Sequence, residues 1–337
     1  QVSNANPYEY YIGNGDNTNL IALTGDSGDK YTNKGFIINA EDLVYVSVRL
    51  FSHPNYYQAG GIVSKGLAAL GTEFRTGTFR NLGSVGSEYM NFISVLATQD
   101  NTIVNFSNFG NGVTIINDAE TSNILLNTGE SYVIAGSPYE NSDNATGLIG
   151  VLVESDKPIA VNSGSFTGSN VGNNGGNGQD IGIDQIAPVE RIGSEYIFVR
   201  GIGPDEVERP LIVAHEDNTE VYVNGLIFTT LANAGDFVSI ESTYYGVSYP
   251  SGGGGPAIGE SSNIYVNTSK TSFAFQVIGG ARPNSGGGWG GIPNQGLFFV
   301  PPINCQTPKI VDNIPYINWI GAEEFSGVVT LVTEAGS

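Results

Sequence analysis

Basic residues are scarce in this sequence. Its 337 residues include 13 Lys and Arg against 33 Asp and Glu, which gives a formal net charge of −20 at pH 7. Binding to nucleic acid requires clustered Lys and Arg that neutralise phosphates, so we expect no nucleic-acid partner. The sequence also lacks any run of about 18 apolar residues, so we expect no direct insertion into a membrane.

Histidine and cysteine are nearly absent as well. Two His and a single cysteine, Cys305, are too few for zinc, haem or iron–sulfur centres. One cysteine cannot form an internal disulfide, so stability must come from burial and from sheet hydrogen bonds. Charged residues make up only 14% of the chain, and Gly occurs 47 times. Together with the acidity, this composition is typical of an exported protein, and we predict a secreted, cell-surface location.

Short runs of β-branched and aromatic residues are abundant. Examples are Leu43–Val48, Asn91–Leu96, Thr102–Phe106, Glu220–Val223 and Ser272–Val277. Turn-forming residues bound each run, and no stretch shows a 3.6-residue apolar period over three turns. The pattern predicts an all-β fold of antiparallel sheets with less than roughly a tenth of the residues in helices.

The sequence also contains an internal repeat. Gln99–Val104 recurs as Glu216–Val221, Leu70–Phe74 as Ile192–Tyr196, and Asp156–Val161 as Ser269–Phe275. A period on the order of 120 residues is too long for a propeller blade and fits a β-sandwich. We therefore predict tandem related antiparallel β-sandwich-like units of roughly 120 residues.

The repeat divides the chain into four parts. Residues 1–80 are predicted to form an N-terminal β unit that is a partial repeat, 81–190 the first full repeat and 191–305 the second. Residues 306–337 begin a truncated third repeat, in which Val328–Ala335 resembles the strand before the repeated turn. Because that copy stops early, we expect the natural protein to continue.

Four Gly-rich segments interrupt the strands. His53–Gly61, Thr167–Gly178 and Ala281–Gly296 follow corresponding strands, and Ser251–Gly259 lies within the second repeat. One interpretation is that they are long surface loops without a ligand. The other is a ligand-binding surface, in which the rings of Tyr56, Tyr57, Tyr249 and Trp289 are exposed between glycines.

Motifs for catalysis and metal binding are weak. Gly25–Gly28 copies the Gly-Asp-Ser-Gly signature of trypsin-like nucleophiles, but His53 and His215 both follow Ser27 rather than precede it. No phosphate-binding glycine motif occurs, so we expect no nucleotide cofactor. Because the sequence shows no catalytic constellation, we expect no enzyme activity. The candidate calcium ligands are Asp16, Asp26, Asp29, Asp180 and Asp184, which lie in or near Gly-rich loops. The alternative is that they are solvated acidic turn residues.

Two acidic residues recur at equivalent positions of the repeat. Asp100 and Asp217 each precede Asn-Thr in the repeated turn. Repetition at equivalent places indicates a structural role, and we expect each carboxylate to hydrogen-bond the turn backbone.

The order of several segments resembles the IgGFc-binding protein N-terminal domain family. Those segments are Lys34–Ile38, Gly66–Phe74, Ala97–Thr102, Ser155–Gly164, Asp184–Val189 and Gly193–Tyr196. The resemblance covers residues 30–305. It implies an extracellular, non-catalytic module of the large surface adhesins of gliding, type IX-secreting Bacteroidetes. Fc binding is not carried over, because the animal members are rich in cysteine and this chain has one.

The partner is not identified by the resemblance. A surface glycan or a protein ligand is expected, together with the secretion or motility machinery of the outer membrane. Two alternatives stay open. One is a secreted carbohydrate-binding or carbohydrate-active protein, and the other is a purely structural cap or stalk.

Overall fold

The structure is a computed structural model of the chain. It describes residues 2–3, 6–13, 18, 22, 24–51, 58–82, 87, 89–170, 180–201, 203, 205–247, 262–279, 295–303, 314, 316–320, 323–324 and 329. In this part of the chain no helix reaches seven residues.

Strands and short 3₁₀ turns make up the regular structure of the described residues. The strands are β1 (Lys30–Tyr31), β2 (Ser47–Phe51), β3 (Ala59–Val63), β4 (Gly71–Arg75), β5 (Met90–Ala97), β6 (Thr102–Ser107), β7 (Ile124–Leu126), β8 (Ser131–Gly136), β9 (Leu152–Gly168), β10 (Asp180–Ile186), β11 (Gly193–Val199), β12 (Pro210–Ala214), β13 (Thr219–Val223), β14 (Leu226–Leu231), β15 (Phe237–Ser239), β16 (Asn263–Gly279), β17 (Gln295–Phe299), β18 (Trp319–Ile320) and β19 (Glu323–Glu324). The 3₁₀ turns are Thr24–Asp26, Gly66–Ala69, Ile116–Asp118, Ser142–Ala145, Val189–Arg191 and Ser242–Tyr245.

Two related units follow one another along the chain. In the first, the amino-terminal half of the long strand β9 pairs with β4 and β6, and its carboxyl-terminal half pairs with β5 and β10. In the second, β16 pairs in the same way with β11 and β13 and then with β12 and β17. The outer strands β7 and β8 correspond to β14 and β15. The predicted all-β fold of tandem related sandwich-like units is therefore confirmed.

The two units share even their irregularities. The pairing of β4 with β9 shifts register between Gly71 and Glu73. The pairing of β11 with β16 shifts at the equivalent place, between Gly193 and Glu195. Because the bulge occurs at the same position of both ladders, it is a feature of the repeated fold. The first pair of equivalent strands, β4 and β11, begin at Gly71 and Gly193. The domain boundaries at residues 81 and 191 stay a prediction.

The repeated Asp-Asn-Thr turn has the same backbone in both units. Asn101 has a φ of 55° and Asn218 a φ of 54°, a left-handed conformation that asparagine tolerates better than β-branched residues. The Thr102 hydroxyl donates to the Gln99 carbonyl at 2.7 Å. The equivalent hydroxyl of Thr219 makes the same bond in the second unit. These contacts close each turn with its own side chain.

The repeated aspartates accept hydrogen bonds from a different turn, not from the Asp-Asn-Thr turn as expected. Asp100 Oδ1 accepts the N–H of Thr128 at 3.0 Å, in the connection between β7 and β8. Asp217 Oδ1 accepts the N–H of Ala234 at 2.7 Å, in the connection between β14 and β15. The structural role inferred from repetition is therefore present in both units, but each carboxylate bonds the backbone of the neighbouring turn.

A continuous apolar core joins the two units. Strand β12 is buried on both faces: Leu211 and Val213 belong to the core shared with the first unit, and Ile212 and Ala214 to the second unit's own core. The chain after β4 passes so close to this sheet that a Cβ on Gly77 would lie 2.6 Å from the Phe275 ring. The two units therefore pack against each other through one close-packed core.

Candidate functional site

Three β-hairpins pack together in the described structure. The first is β2–β3, the second is the end of β9 with β10, and the third is the end of β16 with β17. Both β3 and β17 pack against β10. Gly60 in β3 permits this approach, because a Cβ there would lie 2.7 Å from Ile181 Cγ2. Three of the Gly-rich segments singled out by the sequence fall between the two strands of these hairpins, and their ends extend into β3, β9 and β17.

The described ends of two of these loops meet in one hydrogen-bonded junction. The N–H of Asn170, just after β9, donates to Gln295 Oε1 at 2.8 Å. The N–H of Gln295, at the start of β17, donates to Asp180 Oδ2 at 2.8 Å. Gln295 Nε2 also donates to the Ser169 hydroxyl at 2.8 Å. Residues that flank residues 171–179 therefore bond directly to a residue that flanks residues 280–294.

The end of the fourth loop connects to the same region. The carbonyl of Ser262, which follows residues 248–261, accepts the N–H of Arg200 at 2.8 Å. Arg200 Nη2 donates to the Gly203 carbonyl at 3.0 Å. The Glu208 carboxylate then accepts the N–H groups of Gly203 and Gly279, each at 2.9 Å. Gly279 is the last residue of β16 before the third hairpin loop, and Asn170 Nδ2 donates to the carbonyl of Val207 at 3.2 Å, next to Glu208. The described ends of three of the four loops therefore meet in one set of contacts.

Two buried carboxyl groups lie at the base of the loops. Asp180 is 2% exposed, and burial raises its pKa to about 8. The hydrogen bond from the Gln295 N–H lowers this pKa and so opposes the effect of burial. Its Oδ1 has no hydrogen-bond partner in the described part of the chain. Burial also raises the pKa of Glu208, opposed by three backbone N–H groups and by Arg200. Both side chains order backbone rather than face solvent, so their role here is to position the loops.

Asp184 fixes the same hairpins further along β10. Its Oδ2 lies 2.8 Å from Lys65 Nζ and accepts the N–H of Phe299 at 2.9 Å. Lys65 follows β3 and Phe299 ends β17, so one carboxylate contacts all three hairpins. Burial lowers the pKa of Lys65, and the charge and hydrogen bond of Asp184 oppose that shift. The N–H groups of Gln295 and Phe299 in β17 are thus occupied by side chains of β10, which covers part of an otherwise unpaired strand edge.

The four aromatic residues proposed to bind a ligand lie outside the described residues. These are Tyr56, Tyr57, Tyr249 and Trp289. Asp16 and most of Val328–Ala335 also lie outside them. The role of these rings stays a prediction, while the described flanks show where their loops begin and end.

The described calcium candidates do not come together. Asp26 and Asp29 lie beside β1, where the Asp29 N–H donates to the Asp26 carbonyl at 3.1 Å. Asp180 and Asp184 lie in β10 and already accept protein donors. Among the described residues no group of three or more His, Cys, Asp or Glu side chains could hold a metal ion. Calcium binding stays a prediction.

The Gly-Asp-Ser-Gly segment is a turn in which only Ser27 is buried. Ser27 is 5% exposed, and its hydroxyl has no hydrogen-bond partner in the described structure. Asn117 Nδ2 donates to its carbonyl at 3.2 Å. His215 lies at the interface of the units, where its Nε2 is 3.5 Å from Glu73 Oε1. This arrangement offers Ser27 no described histidine as a general base.

Sequence reasoning missed the residues that order the loops. Glu208 binds backbone N–H groups of glycines, and Gln295 lies 115 residues from its partner Asp180. The only available signal was an isolated acid next to Gly-rich segments, which is not specific.

The described helices include none with the length and apolarity needed to cross a membrane. No curated protein and no solved structure matches this chain. A family model described as IgGFc binding protein matches residues 62–336, well over half of the sequence. The chain therefore belongs to the IgGFc-binding protein family.

Proposed function

We propose that this chain is a non-catalytic, extracellular binding module of a large bacterial surface adhesin that serves attachment or gliding motility. Family membership indicates the coarser role, an extracellular binding module. The observation that supports the finer role is that the described ends of three of the four Gly-rich loops meet in one set of contacts. The ligand is a surface glycan or a protein, bound by the loops.

A rigid base makes such loops effective for binding. Loops that carry function are commonly presented by a fixed scaffold. Here the ends of the loops are fixed by Asp180, Gln295 and Glu208, and the shared core holds both units in one arrangement. Fixing the loop ends before binding reduces the entropy that binding must offset.

The charge of the chain limits how it can attach. A net charge of −20 keeps the module soluble and disfavours adsorption to anionic polymers. Attachment must therefore come from local contacts such as ring stacking, which are individually weak. Useful adhesion then requires many copies that act together.

The test compares beads that carry the wild type with beads that carry Tyr56→Ala/Tyr57→Ala/Trp289→Ala. Retention is measured on mucin-coated glass and on glass coated with immunoglobulin Fc. We expect dense wild-type beads to be retained on one of these surfaces, isolated protein to bind it weakly, and the triple variant to lose retention. Tyr139→Ala removes an exposed ring from a different loop and should behave as wild type. Equal retention of wild type and triple variant would refute the role of the loops.

A purely structural cap or stalk is the second candidate. The continuous core between the units favours it, because a rod that carries force benefits from units that do not hinge. Absence of wild-type retention on every surface, with the protein still found outside the cell, would favour this role.

A further inference from the structure

The second unit has an open sheet face with two tyrosines. On β13 and β16 the residues Val221, Val223, Ile264 and Val266 are buried in the core. Side chains alternate along a strand, so Tyr222 and Tyr265 point away from that core. Tyr222 pairs with Asn267, two residues along β16 from Tyr265, which places the tyrosines diagonally on the same face.

The face carries two carboxylates as well as the two tyrosines. The Tyr222 hydroxyl donates to Glu220 Oε2 at 2.7 Å. Glu195 is an exposed residue of the adjacent strand β11 that pairs with Asn267, two residues along β16 from Tyr265, so its side chain lies on the same face as the Tyr265 ring. Ile227 extends the face at its β14 edge and is 62% exposed. The surface is therefore apolar and aromatic in its middle, with two carboxylates beside the rings.

No cation on the four strands compensates this charge. Strands β11, β13 and β14 contain no Lys or Arg. Strand β16 contains Lys270, whose Nζ donates to the Asp217 carbonyl at the repeated turn. The carboxylates of Glu195 and Glu220 consequently lack a basic partner within this sheet.

The fold itself does not require the tyrosines. In the first unit, Asn105 pairs with Glu154 as Tyr222 pairs with Asn267, and Leu152 occupies the place of Tyr265. The same ladder therefore forms with asparagine and leucine at these two positions. Glu195 recurs in the first unit as Glu73, whereas Tyr222 and Tyr265 have no tyrosine counterpart there.

We propose that this face, formed by Glu195, Glu220, Tyr222, Tyr265 and Ile227, binds a basic, extended segment of a partner protein. Lys or Arg side chains of the partner lie over the tyrosine rings, which attract cations through their faces. Their charged groups reach the carboxylates beside the rings, where opposite charge is complementary. This surface is made of strand residues and contains none of the aromatic loop residues, so the inference goes beyond the proposed function and does not depend on it.

The test uses a fluorescein-labelled peptide of alternating Lys and Thr, and a second peptide with Glu in place of Lys. Binding to the full chain is measured by fluorescence anisotropy at low and high salt. We expect the wild type to bind the Lys peptide and not the Glu peptide, with binding weakened by salt. Glu195→Gln/Glu220→Gln and Tyr222→Asn/Tyr265→Leu should each raise the Kd at least about tenfold. The second pair introduces the residues that the first unit already accommodates, and circular dichroism checks its folding.

The matched control is Glu140→Gln/Glu154→Gln, which changes the net charge equally at exposed positions of the first unit. It should keep the wild-type Kd within about twofold. An equal loss in this control would show that only bulk charge acts and would overturn the proposal. So would unchanged binding by the tyrosine variant, absence of Lys-peptide binding, or binding of a neutral glycan at this face instead. The loop variant Tyr56→Ala/Tyr57→Ala/Trp289→Ala should bind the peptide as wild type, and its failure would place the peptide on the loops.

Discussion

Replacement of Asp180 by asparagine should remove a large part of the pH dependence of folding stability. Asp180 is 2% exposed at the base of the loops, and burial raises its pKa from 3.8 to about 8. The folded state therefore favours the neutral acid, while the unfolded chain ionises at ordinary acidic pH. Stability is greatest below the unfolded pKa and falls as the pH rises toward the folded pKa.

The size of this effect follows from the difference in pKa. Each unit of difference corresponds to about 1.4 kcal/mol. Between about pH 5 and about pH 8, the ionisation of this one side chain in the unfolded state lowers the free energy of unfolding by about 4 kcal/mol. Asparagine cannot ionise, and its side-chain oxygen can still accept the N–H of Gln295. From about pH 5 to about pH 8, the free energy of unfolding of the variant should therefore rise by about 4 kcal/mol relative to that of the wild type.

The assay is urea unfolding followed by far-ultraviolet circular dichroism at several pH values. The difference between variant and wild type at each pH isolates Asp180, since Glu208 is unchanged in both proteins. Glu140→Gln alters an exposed carboxyl and should leave the profile parallel to wild type. Parallel profiles for Asp180→Asn and wild type between about pH 5 and about pH 8 would refute the reasoning.

Three further outcomes are expected. Phe275→Ala should lower the free energy of unfolding by about 3–5 kcal/mol, because it leaves a cavity in the shared core; a loss below about 1 kcal/mol in urea unfolding would contradict close packing there. Asp100→Ala should speed hydrogen exchange at the Thr128 amide and leave that of Ala234 unchanged, since each aspartate bonds only its own unit; equal acceleration at both amides in exchange spectra would contradict this. A serine-directed covalent probe should not label Ser27, which is 5% exposed, whereas labelling that Ser27→Ala abolishes would show a reactive nucleophile.

Local features of this fold could be predicted from the sequence. Most runs of β-branched residues became strands, and Asp-Asn-Thr became the same turn twice, because strand and turn preferences act over a few residues. The run Leu43–Val48 is an exception, since only its last two residues belong to a strand, β2. The double pairing of β9 and β16 could not be predicted, since it depends on which distant strands meet each half. The Asp180–Gln295 contact could not be predicted either, because it joins residues that are far apart in the sequence.

A duplicated fold separates structural residues from functional ones without any alignment of relatives. Lys157 and Lys270 donate to the carbonyls of Asp100 and Asp217 at equivalent places, so their recurrence has a structural cause. A residue that occurs in one unit only cannot be required by the ladder that both units build. Asp180 is an exception, because it occurs in one unit and still has a structural role. Its partner Gln295 belongs to the other unit, so this contact occurs only once in the two units together. A side chain present in one unit is therefore a candidate for function only when it points away from the other unit. Tyr222 and Tyr265 meet that condition, since they lie on the outer face of their sheet and the first unit replaces them with asparagine and leucine.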